Sequence, residues 1–246
     1  MPRFFVPREQ IGEGLVKIYG EDASHISYSL RMAKGETITV CDETAKEYEC
    51  VLVELTREQV AAKIVEERIC EAESPFRITL YQALPKGDKL ETVIQKAVEC
   101  GVSEIVPFES ERCVVKVKSD AEERKTVRRN RIAQEAAKQC GRGRIPQVLA
   151  TVGFPEAVKR ASSADICLIC YEDESGTTLR QALQAISPKP GATVSVMIGS
   201  EGGFSPEEVR VAGEHGMISV SLGKRILRTE TAPVFVLSCL AYQFEL

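Results

Sequence analysis

Met197-Ile198-Gly199-Ser200-Glu201-Gly202-Gly203-Phe204-Ser205-Pro206-Glu207-Glu208 holds three structural signals in one short run. The apolar segment from Thr193 to Ile198 stops at a glycine, as a buried strand does before a sharp turn. Ser205 followed by Pro206 and two acids marks a helix start, with serine as N-cap, proline at the first helical position and carboxylates where the helix dipole favours them. Strand, glycine turn and capped helix together form the unit of an open α/β sheet, and such sheets hold ligands beyond the carboxyl ends of their strands. The loop is not a Walker A cradle, because no Gly-Lys-Ser/Thr follows. Nor does Gly199-x-x-Gly202-Gly203 have the dinucleotide spacing. Glu201 would also repel a di- or triphosphate. Taken alone, the loop reads equally as a tight structural turn.

A second loop of the same kind follows. Ser221-Leu222-Gly223-Lys224-Arg225-Ile226-Leu227-Arg228-Thr229-Glu230-Thr231-Ala232-Pro233 runs from a strand end through glycine and a polar stretch into another helix. Two such loops at the ends of successive strands predict two walls of one pocket, with Arg228 and Glu230 as its ionisable groups. Both are costly to bury unless a ligand or each other satisfies them. The alternative is a surface ion pair beside a threonine cap.

Outward from these loops, strand-like and helix-like segments alternate. Strands are predicted at 77–84, 104–108, 166–171, 193–198 and 218–222, and helices near 121–141, 154–162, 177–185, 205–215 and 231–244. Leu90, Val93, Ile94, Ala97 and Val98 follow helical spacing until Gly101 ends the run. This alternation predicts a mainly parallel sheet covered by helices. The last helix is apolar nearly all round, which predicts burial by the sheet or by a second subunit. From Gly35 to Cys70 the period is two, with a polar hairpin loop over residues 41–46, so this part reads as a small β-barrel or compact sheet. A short helix is expected between His25 and Met32. Glu71 to Pro75 breaks the pattern and sets two domains, 1–72 and 73–246.

The chain of 246 residues has ordinary globular composition, 43% hydrophobic and 28% charged, with net charge −4. That balance excludes a protein that coats nucleic acid or membrane indiscriminately. Charge is uneven, however: residues 1–76 carry nine bases and fifteen acids, 77–148 fifteen and ten, and 149–246 eight and eleven. Arg124, Arg128, Arg131, Lys138 and Arg142 fall on one stripe of a predicted helix, opposite Ile132, Ala133, Ala136, Ala137 and Cys140. Such a stripe is either a solvated face or a surface for nucleic-acid phosphates. Gly141 to Arg144 extends it as an expected flexible cationic tip. Nine cysteines without a disulfide framework, and no apolar run of membrane-spanning length, suit a cytoplasmic protein. Cys167-Leu168-Ile169-Cys170 lies in an apolar strand without a second ligand pair, and His25 and His215 have no recognisable partner. No metal site is expected.

The two glycine loops, together with Pro2-Arg3-Phe4-Phe5, the segment Gln82 to Lys89, Lys96 to Val102 and Gln134 to Arg142, resemble the bacterial 16S ribosomal RNA uracil-N3 methyltransferases of the SPOUT class. The resemblance spans almost the whole chain. It implies a PUA-like β-barrel that helps hold RNA, followed by an α/β domain with a mainly parallel sheet and a trefoil knot. It also implies a homodimer joined through the C-terminal helix, and S-adenosylmethionine as cofactor, with 16S ribosomal RNA or the small ribosomal subunit as partner.

Carried over residue by residue, the resemblance assigns cofactor contacts to Tyr171, Glu172, Ile198, Gly199, Glu201, Gly202, Leu222, Ile226, Leu227 and Arg228, with the adjoining Gly203, Gly223, Thr231 and Ala232. Arg228 and Glu230 are the expected catalytic pair: one stabilises charge on the base, and the other orients it or takes a proton. RNA contacts are expected from Arg124, Arg128, Arg131, Lys138 and Arg142. Because the barrel is acidic, its share is few and local, at Arg3, Arg8 and Arg31. The competing readings are a non-catalytic RNA-binding or ribosome-assembly protein and a nucleotide- or nicotinamide-dependent enzyme; the latter lacks a phosphate fingerprint.

Overall fold

The computed structural model describes residues 1–116 and 119–246 and divides into two compact units, Met1–Glu73 with Ala137–Ile145 and Ser74–Ala136 with Pro146–Leu246. The first unit contains β1 (Arg3–Phe5), β2 (Leu15–Tyr19), α1 (Gly20–Ser24), β3 (Thr37–Cys41), β4 (Lys46–Leu55) and β5 (Gln59–Ile69). Its sheet has the order β1-β3-β4-β5-β2 and is antiparallel except where β1 joins β3. Irregular register at Glu49/Cys50 and Leu52/Glu54 bends β4 and β5. The sheet curls as a half-barrel around buried Phe4, Val16, Ile18, Ile26, Ile38, Val40, Leu52 and Val60.

The expected hairpin loop joins β3 to β4. Glu43 and Ala45 take positive φ there, and Asp42 Oδ1 accepts from Thr44 N and Oγ1. β1 and β2 were not predicted: β1 is too short to display a period, while β2 does alternate, burying Val16 and Ile18. The helix expected at 25–32 begins instead at Gly20 and widens over His25–Ser29, where Leu30 N donates to His25 O. Residues 142–144 are fastened by Glu73, which accepts from Arg142 Nε and Nη2, Gly143 N and Arg144 N. An added Cβ on Gly143 would lie 2.6 Å from Cys70 Cβ. Only glycine lets this segment pack so closely. The expected flexible tip is therefore a pinned turn, and Arg142 is buried in it.

The second unit contains β6 (Arg77–Ala83), α2 (Lys89–Glu99), β7 (Glu104–Glu109), α3 (Ser119–Cys140, whose last residues belong to the first unit), β8 (Gln147–Val148), β9 (Val152–Gly153), α4 (Phe154–Ala161), β10 (Ile166–Cys170), α5 (Leu179–Gln184), β11 (Thr193–Ile198), α6 (Pro206–Glu214), β12 (Ile218–Val220) and α7 (Ala232–Phe244). Its sheet is parallel throughout, ordered β12-β10-β11-β6-β7-β8 with β9 also on β7. β10 is buried along its whole length, as a strand covered on both faces must be.

α2 buries the five apolar residues its spacing predicts, and Gly101, at φ +88°, ends the run. α6 has the expected Ser205 cap, closed into a capping box by Glu208. Thr231, by contrast, makes no side-chain cap; α7 starts from backbone bonds of Thr231 N and Ala232 N to Arg228 O. α7 buries Val236, Leu237 and Leu240 against α2 and α5 but leaves Tyr242 76% exposed. No helix among the described residues is long and apolar enough to cross a membrane.

Candidate active site

β10 lies between β11 and β12, so the chain steps to one side of β10 and then crosses back to the other. Because the strands are parallel, their carboxyl ends share one edge, where such a reversal opens a crevice. The three following loops line a cleft of about 670 Å³, counted with its mouth.

These loops are tied together from below by a buried polar group. Gln82, fully buried at the end of β6, directs Nε2 toward Thr229 Oγ1 at 3.1 Å and Gly199 O at 3.4 Å, and Thr229 Oγ1 donates to Gly199 O at 2.8 Å. A buried amide so placed holds two loops in one register. Gly199 O thus receives two donors, which fixes the turn where β11 ends.

The glycines of the first loop are used for close approach. Gly203 has φ +65°, and a Cβ there would lie 1.9 Å from Glu172 Oε1. Glu172 therefore rests against the bare backbone of Gly203. An added Cβ on Gly202 would lie 3.0 Å from Arg112 Cβ, and Arg112 Nη1 donates to Gly202 O at 3.0 Å. The segment carrying Arg112 is held by buried Glu208, which accepts from Ser110 Oγ, Glu111 N and Ser205 N.

One cation joins the acids of the two loops. Lys89 Nζ lies 2.8 Å from Glu201 Oε1 and 3.6 Å from Glu230 Oε2. Burial would raise the Glu201 carboxyl, but hydrogen bonds from Lys89 and the Lys86 N–H outweigh it and hold the group below the usual range. The hydrogen bond to Glu201 pushes Lys89 up. Among the described residues neither Glu230 Oε2 nor Ser200 Oγ, both buried, finds a hydrogen-bond partner. Such groups await a donor or acceptor from a ligand. Burial pushes the Cys170 thiol, in the cleft floor, up to about 12, so it stays protonated and unreactive.

Of the residues expected to bind cofactor, Tyr171, Glu172, Ile198, Gly199, Glu201, Gly203, Leu222, Gly223, Ile226, Leu227 and Ala232 line this cleft. Gly202, Arg228 and Thr231 lie outside its lining, and Arg228 is exposed. Sequence reasoning missed the lining residues Cys170, Ser200, Ser221, Arg225 and Thr229. It also missed Gln82 and Lys89 as supports. A polar residue at the buried end of an apolar strand was the available signal for Gln82.

The residues expected to meet RNA divide sharply. In the second unit Arg124 and Arg131 are exposed, while Arg128 pairs with Glu91 at 2.9 Å. In the first unit Arg8 and Arg31 are exposed. Arg3 pairs with Glu47 and donates to Cys41 Sγ; Lys138 pairs with Asp22 over the Phe4 ring; Arg142 pairs with Glu73. Much of the stripe's charge is thus spent internally, which charge counting along a sequence cannot reveal.

Residues 72–241 match the RNA methyltransferase domain family, and residues 18–65 match the RNA methyltransferase PUA domain. The chain is 36% identical to the ribosomal RNA small subunit methyltransferase E of Bacillus subtilis (strain 168), across 100% of this chain and 98% of that one. It is 34% identical to the protein of the same name from Aquifex aeolicus, across 96% and 97%. Among solved structures, the ribosomal RNA small subunit methyltransferase E of Neisseria gonorrhoeae bound to S-adenosyl methionine superposes with TM-score 0.86 at 32% identity, covering 99% of this chain and 98% of that one.

Proposed function

Since the chain belongs to the RNA methyltransferase family, within the group named ribosomal RNA small subunit methyltransferase E, we propose that it transfers the methyl group of S-adenosylmethionine to N3 of a uridine in 16S ribosomal RNA. The observation that carries this reading is the cleft of two glycine loops, whose ionisable walls are Glu172, Glu201 and Arg225 rather than a lysine-bearing phosphate cradle.

The residues present fit such a cofactor. It carries a sulfonium cation and no phosphate, so nearby carboxylates are tolerable where they would repel a nucleotide. Ser200 Oγ supplies a buried polar atom still lacking a partner, and Ile226, 78% exposed on the cleft wall, supplies apolar surface for a ligand to cover. Tyr171, Glu172, Ile198, Gly199, Glu201, Gly203, Leu222, Gly223, Ile226, Leu227 and Ala232 would hold it, with Gly202 and Thr231 shaping the loops behind.

When bound, the cofactor supplies a methyl group activated for displacement. The protein must then present N3 of an unstacked uracil, remove its proton and stabilise charge on the ring oxygens. Glu230 takes the N3 proton on Oε2, which lies 3.6 Å from Lys89 Nζ and accepts no hydrogen bond from a described residue. Lys89 holds that carboxylate in place through its second contact, with Glu201. Arg228, exposed beside the cleft, places its guanidinium against the uracil oxygens.

Residues 1–72, with the returning segment 137–145, form the PUA-like part that holds RNA, and the rest of 73–246 the trefoil-knotted methyltransferase part. The protein works in the cytoplasm as a homodimer through α7, whose exposed Tyr242 joins the partner copy. The test is to treat small-subunit ribosomal RNA from a strain lacking the enzyme with protein and S-adenosylmethionine, then map the modified base by mass spectrometry. A 3-methyluridine at one position is expected. Failure of calorimetry to detect S-adenosylmethionine binding would favour a non-catalytic RNA-binding protein instead.

A further inference from the structure

An RNA strand approaching this cleft meets the carboxylates of Glu172, Glu201 and Glu230. Among the described residues only Lys89 is paired with any of them, and it serves two. On the long basic helix Arg128 is paired with Glu91 and Arg129 with Glu122, and its exposed Arg124 and Arg131 lie outside the cleft lining. A polyanion therefore needs fixed positive charge at the cleft itself.

Arg112 supplies it. Its side chain is exposed and forms no ion pair with a described residue. Nη1 donates to Gly202 O, the carbonyl of the loop between Gly199 and Gly203. The absent side chain of Gly202 is what admits Arg112, since a Cβ there would stand 3.0 Å from Arg112 Cβ and 3.3 Å from Arg112 O. Its backbone is fixed from behind by the Glu208 carboxylate through Ser110 Oγ and Glu111 N. A guanidinium has five N–H donors, and one carbonyl uses one of them. The rest face solvent beside Tyr171, which its charge reaches.

We propose that Arg112 binds a phosphodiester adjoining the target nucleotide, a contact that rests on the methyltransferase reading and adds an RNA-gripping position to the cofactor loop. Because the arginine is already seated on Gly202 and its backbone is pinned, little freedom is lost when phosphate binds. Forked geometry suits a phosphate oxygen pair.

Arg112→Gln keeps an N–H donor for Gly202 O and removes the charge; Arg112→Lys keeps the charge. The probe is unmodified 16S ribosomal RNA transcribed in vitro, with its dissociation constant measured against salt. Arg112→Gln is expected to weaken RNA binding about tenfold and to flatten the slope of log affinity against log salt by about 0.7, the value for one single-strand phosphate contact. S-adenosylmethionine affinity by calorimetry and the melting temperature should stay as in the wild type. Arg112→Lys should retain the wild-type slope. An unchanged slope in Arg112→Gln overturns the proposal. A slope change accompanied by lost cofactor affinity also overturns it, because Arg112 would then be a support of the loop. If the wild-type protein binds RNA with Arg112-dependent salt sensitivity yet binds no S-adenosylmethionine, the methyltransferase reading fails and the phosphate contact stands.

Discussion

Glu172 occupies the space beside Gly203 that any side chain at that position would need, with Oε1 only 1.9 Å from where a Cβ would sit. Gly203→Val is expected to abolish S-adenosylmethionine binding mainly through its φ of +65°, because the exposed Glu172 carboxylate can swing away from an added side chain. Gly203→Ala combined with Glu172→Ala removes the contact and keeps the backbone penalty, about 1–2 kcal/mol. Calorimetry on both variants, referred to Glu172→Ala alone because Glu172 also lines the cleft, separates the two causes: partial recovery in the pair is expected, and complete loss in it with binding kept by Glu172→Ala would assign the effect to backbone geometry.

Arg228→Ala should lower kcat about 10²-fold, the cost of one lost charge stabiliser, and leave cofactor affinity intact because Arg228 lies outside the cleft lining. Single-turnover methyl transfer at saturating cofactor measures this. Full activity would remove Arg228 from catalysis.

The Lys89–Glu201 pair gives the loops a defined pH range. Glu201 is held below its ordinary 4.5, so its contribution is complete above that value and is lost as pH falls through the lower folded value. Lys89 is held above its ordinary 10.5, so its contribution is complete below that value and is lost as pH rises through the higher folded value. Cofactor binding should thus show no dependence on this pair between about pH 5 and pH 9. In Glu201→Gln, stability should fall less on acidification than in the wild type. Melting curves from pH 3 to pH 7, about the range of carboxylate titration, would show the difference.

Arg129 and Glu122 form a nearly buried pair, with side chains 10% and 12% exposed, and Glu122 also accepts from Thr151 N. Arg129→Ala leaves the carboxylate without its cation and should cost about 3 kcal/mol of stability. Denaturant unfolding of the second unit's core measures it. A loss under about 1 kcal/mol would mean that solvent replaces the arginine.

Charge reversal on α3 should weaken RNA binding through Arg124 and Arg131, which are exposed and without ion pairs among the described residues. Arg128→Glu should do less, because Arg128 is already paired with Glu91. Comparing the salt slopes of Arg124→Glu with Arg131→Glu against Arg128→Glu alone tests the division.

The signals legible in the sequence were local ones. Ser205, Pro206 and Glu208 announce a helix start within four residues, and Gly199 to Gly203 announces a turn, so the cleft's main wall could be read directly. The alternation of the second unit and the apolar face of α2 were legible for the same reason. Contacts between distant residues were not. Lys89 and Glu201 meet across 112 positions, Gln82 and Thr229 across 147, and neither pairing follows from composition or spacing. Arg142 was misjudged because its bidentate partner, Glu73, lies 69 positions away. β1 escaped because a three-residue strand obtains its register from its neighbour rather than from its own pattern.

The segment Ala137–Ile145 belongs to the first compact unit although it is synthesised long after Glu73. Glu73 must receive Arg142, Gly143 and Arg144, and Asp22 must receive Lys138, before that unit has all its contacts. Domains ordinarily fold in the order in which they leave the ribosome. During translation, this half-barrel therefore keeps open anchor points until Ile145 has emerged, after residues 74–136 of the second unit but before the strands and loops of the cleft.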